Sequence, residues 1–61
     1  MITSLIVGDD YVVGSLTFTV LRFEDRDTVR IRLANGTEAV ESVGALLYSP
    51  LGLRRVEKAE Q

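Results

Sequence analysis

The chain has no cysteine, no histidine and no tryptophan, and only one proline and one lysine among its 61 residues. Without cysteine no disulfide can brace it, and without cysteine or histidine a zinc site lacks its usual ligands; carboxylates alone would favour calcium or magnesium. The same absences remove the base that activates a Ser-His-Asp or Cys-His nucleophile. A serine–lysine pair would have to use the single lysine, Lys58. No catalytic residue, metal site or cofactor is therefore expected, and the chain reads as a binding protein, not an enzyme.

Charge of one sign is also scarce. Nine acidic residues against seven basic ones leave a net charge of −2, which gives no global pull toward nucleic acid or an anionic membrane. Six of the seven cations are arginines, whose planar fork suits bidentate pairing with carboxylate or phosphate; pairing with the chain's own acids is the default. The start, Met1-Ile2-Thr3-Ser4-Leu5-Ile6-Val7, has no cationic region and soon meets Gly8-Asp9-Asp10, unlike a secretory signal. No run approaches the roughly 20 apolar residues of a membrane span, so a cytoplasmic chain without membrane association is expected.

What the chain has in plenty is apolar residues, 46% of the total, with a mean hydropathy of +0.16. A domain of this length buries only about 60% of the surface its unfolded chain exposes. A marginal core and surplus hydrophobicity together predict self-association, as a dimer or tetramer.

The apolar residues recur at strand spacing. Alternation through Val29-Arg30-Ile31-Arg32-Leu33 runs into Ala34-Asn35-Gly36-Thr37 and then Glu38-Ala39-Val40-Glu41, a β-hairpin signal. A two-residue Asn35-Gly36 loop would set Ile31 opposite Val40 on one face and Arg30 opposite Glu41 on the other. Leu16-Thr17-Phe18-Thr19-Val20 alternates cleanly, after which Leu21 and Phe23 take over the apolar phase; the flip predicts a bulge near Val20-Leu21. Glu24-Asp25-Arg26-Asp27 reads as a polar turn, Tyr11-Val12-Val13 as a short strand, and residues 3–7 as an edge strand. Residues 43–48 suit either a helical turn or a strand, ended by Ser49-Pro50. Leu53-Arg54-Arg55-Val56-Glu57 reads as a last strand and residues 58–61 as a solvated tail.

Candidate sites are few. Asp9, Asp10, Glu24, Asp25 and Asp27 lie in turns, where aspartate serves the turn's own hydrogen bonds. The glycines from Gly8 to Gly14 lack the spacing of a phosphate-binding loop. Of Tyr11, Phe18, Phe23 and Tyr48, at least three are expected to pack internally. Leu46, Leu47, Tyr48, Leu51 and Leu53 form an apolar set suited to a protein contact. Arg30, Arg32, Arg54 and Arg55 are the candidate contacts to an anion or nucleic acid.

The stretch Leu47-Tyr48-Ser49-Pro50-Leu51-Gly52-Leu53-Arg54-Arg55-Val56, with Ala39-Val40-Glu41-Ser42 before it, resembles the end of SH3-like barrels, notably the plasmid-encoded type II dihydrofolate reductases. The resemblance implies a tetramer around a shared pore. Where that family has Val-Gln-Ile-Tyr, this chain has Ala45-Leu46-Leu47-Tyr48, so the resemblance carries the architecture and not the reductase activity. Val7-Gly8, Val13-Gly14, Thr17-Phe18-Thr19-Val20-Leu21 and Val29-Arg30-Ile31 are similar to the carbon storage regulator family of dimeric RNA-binding regulators. Ala34-Asn35-Gly36 replaces that family's Ala-Pro, and Val43 falls at its RNA-contacting arginine.

Taken together, the residues predict one all-β domain over 1–57: a small five-stranded SH3-like barrel with room for one short helical turn near its C-terminal end. The expected function is a self-associating protein-interaction or assembly module. The alternatives are a small nucleic-acid-binding regulator and an oligomeric-pore enzyme.

Overall fold

The structure is a computed structural model that describes residues 2–57; the expected tail, 58–61, lies outside the described residues. Five strands, β1 (Asp10–Val13), β2 (Leu16–Phe23), β3 (Thr28–Leu33), β4 (Glu38–Ser42) and β5 (Leu53–Arg55), are joined with one short helix, α1 (Val43–Leu47), between the last two. All pairings are antiparallel and the strand order is β4-β3-β2-β1-β5. The result is a four-stranded meander whose fifth strand returns to the first, with a helical turn on the way, a small five-stranded all-β fold. β2 is the longest strand and its register shifts between Val20 and Arg22. That bulge falls where the apolar phase flips, as the alternation predicts.

The inner face holds one core of Leu5, Tyr11, Val13, Phe18, Val20, Val29, Ile31 and Leu46. Burying each large apolar side chain contributes roughly 1.5–3 kcal/mol. Tyr11 and Phe18, opposite one another on β1 and β2, stack with ring centroids 5.8 Å apart. Residues 3–7 do not form the expected edge strand. Leu5 is buried as a plug, the Asp9 N–H donates to the Ile6 carbonyl in a turn, and the Ile6 N–H donates to the Tyr11 hydroxyl at 2.9 Å. The side-chain hydroxyl thus takes the place of a neighbouring strand.

The β3–β4 hairpin exists, but its register is one residue from the expected one: Ile31 faces Ala39, Arg30 faces Val40 and Val29 faces Glu41. The loop has three residues. The Gly36 N–H donates to the Leu33 carbonyl and the Leu33 N–H to the Thr37 carbonyl. Gly36 takes φ +90° while no described non-glycine residue has positive φ, so Asn35 does not adopt the two-residue turn geometry; a type I turn with a glycine bulge forms instead. The shift moves Val40 to the outer face and replaces it inside by Ala39.

α1 resolves the ambiguity of residues 43–48 in favour of helix. Ser42 caps it, its hydroxyl oxygen accepting from the Ala45 N–H at 3.3 Å. Among the described residues no helix is long and apolar enough to cross a membrane.

Candidate functional site

Side chains alternate between the faces of each strand, so the register sorts the candidate residues. Arg22, Arg30, Arg32 and Arg54 fall on the outer face, whereas Arg55 sits opposite Tyr11 on the other. Arg30 and Arg32 lie on β3, Arg54 and Arg55 on β5, with β2 and β1 between them, a gap of about 14 Å at the usual strand spacing. The four candidate anion contacts therefore do not converge.

Two of the four are also occupied by acids of the same chain. The Arg30 Nε donates to Glu24 Oε2 at 2.7 Å, and its Nη1 lies 3.5 Å from Glu38 Oε1. Arg22 shares Glu24 at 3.2 Å, and Arg55 reaches Asp9 at 3.5 Å. The hydrogen bond from Arg30, together with the charge of Arg22, holds the Glu24 carboxyl below its usual range, and Glu24 in turn raises the Arg30 guanidinium. Among the described residues, Arg32 and Arg54 make no ion pair.

Of the carboxylates expected to serve turns, Asp25 does so, whereas Asp10 lies in β1, Glu24 pairs with Arg22 and Arg30, and Asp9 pairs with Arg55. Asp25 Oδ1 accepts from the Asp27 N–H at 2.8 Å and the Thr28 N–H at 2.9 Å, bonds that lower its carboxyl below the ordinary aspartate value. Asp10 Oδ1 accepts from the Thr19 hydroxyl at 2.6 Å, and that row continues across β2 to Arg32.

The apolar set divides. Leu46 is buried and belongs to the core, drawn in because α1 must close the barrel between β4 and β5; it leaves the candidate surface. Leu47 and Leu53 are half-buried against the core. Tyr48 and Leu51 are exposed, by 80% and 71%, Tyr48 just before and Leu51 within a turn in which the Gly52 N–H donates to the Ser49 carbonyl at 3.0 Å. The Ser49 hydroxyl accepts from the Leu51 N–H. A Cβ added to Gly14, which has φ +60°, would meet Leu51 Cδ1 at 2.8 Å, so Leu51 lies directly over the β1–β2 turn. Leu16, just after that turn, is paired with Val13, which is paired in turn with Leu53. Leu16, Leu51 and Leu53 thus gather at the β1–β2 turn end of the sheet.

Sequence reasoning missed Leu16, which an alternating strand gives no reason to single out, and Val40, whose exposure follows from the hairpin register. It also placed one aromatic too many inside. Tyr11 and Phe18 are buried, but Phe23, the last residue of β2 beyond the bulge, is 44% exposed although it faces Val29. Comparison with protein-family models, curated proteins and solved structures finds no match to the chain.

Proposed function

We propose that the chain is a non-enzymatic protein-interaction module that assembles with copies of itself. The observation that supports this reading is the apolar end: Leu51 projects into solvent although a hydrogen-bonded turn and its contact with Gly14 hold it in place, and Tyr48, just before that turn, is exposed as well. Exposed apolar side chains grouped on a structured turn mark a contact surface more than scattered ones do. Two strand edges unpaired among the described residues, β4 and β5, add backbone groups that another chain can pair with. A reducing, cytoplasmic setting suits a domain built without cysteine.

The divided arginines, two of them committed to carboxylates, favour this reading over nucleic-acid binding. Light scattering across a dilution and salt series tests it. The expected result is a mass above that of one chain that persists on dilution and changes little with salt, as apolar and backbone contacts require. A single-chain mass at every concentration defeats the proposal.

A further inference from the structure

The β4 edge carries the observations furthest. In an antiparallel pair, residues alternate between those whose N–H and C=O face the neighbouring strand and those whose groups face away. The hairpin bond from Leu33 N–H to Thr37 carbonyl and the bond from Val43 N–H to Asp27 carbonyl fix the phase: Ala39 and Glu41 turn their backbone toward β3, while Glu38, Val40 and Ser42 turn theirs outward. Among the described residues no strand lies on that side. At the middle of this edge stands Val40, 47% exposed.

We infer that β4 pairs antiparallel with β4 of a second copy, about a two-fold axis at Val40. This rests on the self-association proposed above and assigns it to one of the two strand edges named there, leaving the apolar end at Leu51 outside the pair. A two-fold pairing of identical strands must oppose one residue to itself, which leaves few registers to compare. Centring on Glu38 or Glu41 opposes two carboxylates, and centring on Ala39 sets each Val40 against a Glu38. Centring on Val40 sets the two valines together, Glu38 against Ser42 and Ala39 against Glu41, with no like charges directly opposed.

In that register the two Val40 residues exchange both backbone bonds and each Ser42 N–H donates to a Glu38 carbonyl; the Ser42 carbonyl is engaged at the start of α1. The other edge is less suited. β5 has three residues, two of them arginine, and any two-fold pairing centred on either opposes arginine to itself. Pairing β4 with β5 of another copy is head-to-tail and builds a ring or an open filament, not a two-chain pair.

The closing test is Val40→Pro. The Val40 N–H faces away from β3, so proline there removes no intramolecular ladder bond, and an edge strand accepts it; both central intermolecular donors are lost. The wild type is expected at twice the single-chain mass and Val40→Pro at half the wild-type value. Should proline disturb the fold by circular dichroism, Val40→Glu replaces it, since it opposes two carboxylates at the axis while keeping the backbone.

Amide exchange supplies a second readout: in the wild type the Val40 and Ser42 amides are expected to be protected, and in Val40→Glu the amides at positions 40 and 42 are expected to exchange freely. A double mass retained by the folded Val40→Pro or Val40→Glu variant, with these amides exchanging freely in the wild type, overturns the β4 pairing and leaves self-association standing. A mass that climbs past two chains also overturns the closed pair. A wild type that is one chain at all concentrations overturns both the pairing and the self-association on which it rests.

Discussion

The Tyr11 side chain links two roles that are usually separate. Its ring is buried against Phe18 while its hydroxyl accepts the Ile6 N–H, so one residue contributes core area and also ties down the segment that delivers Leu5. Tyr11→Phe keeps the ring and removes the acceptor. The expected cost is about 0.5–1.5 kcal/mol, the net worth of one hydrogen bond, read as a lower urea midpoint with unchanged slope. Faster exchange of the Ile6 amide should accompany it, while amides in β3 are unaffected. Leu51 shows the converse pairing of roles: an exposed side chain whose position depends on the missing Cβ of Gly14.

At the scale of elements, the β3–β4 hairpin depends on Gly36. Its φ of +90° meets nothing within 4 Å where a Cβ would stand, so a substitution there is opposed by backbone conformation alone. Gly36→Ala should cost about 1–2 kcal/mol, and Gly36→Asn less, because asparagine tolerates the left-handed region better; thermal melts of the three proteins give the order. The existence of this hairpin was legible in the alternation from Val29 to Glu41, and the bulge in β2 was legible in the phase flip after Val20. The hairpin register was not, because Asn35-Gly36 suits both a two-residue and a three-residue loop. What decides between them lies elsewhere in the chain: Leu46 and Val43 of α1 complete the core at that edge, so small Ala39 suffices opposite Ile31. The same long-range dependence hid the exposure of Val40 and the burial of Leu46, whereas Tyr48 and Leu51 were recognisable because Ser49-Pro50 between them forces a turn.

For the whole molecule, charge is arranged as local pairs, with no strong field of one sign, and this gives a pH signature. The Glu24 and Asp25 carboxyls are both lowered in the folded chain, Glu24 chiefly by the Arg30 hydrogen bond and Asp25 chiefly by backbone N–H donors. A lowered carboxyl contributes stability that is fully present above its unfolded pKa and is lost as pH falls through the folded value. Stability should therefore be flat near neutrality and decline below about pH 4, where ordinary carboxylates titrate. Thermal melts from neutral to acid pH should show a smaller decline for Asp25→Asn than for the wild type.

Strand order has a consequence in time as well as in space. The meander can settle through short turns between successive strands, but β5 must find β1 across nearly the whole described chain. Closing so long a loop adds little equilibrium cost, since each doubling of length costs only about 0.6 kcal/mol, yet it orders events. While the chain is being synthesised, the edge of β1 that β5 will cover stays open until residues 53–55 have left the ribosome. The nascent meander thus exposes the longer edge of β1, and the three-residue strand that arrives last covers it and puts a shorter, arginine-bearing edge in its place.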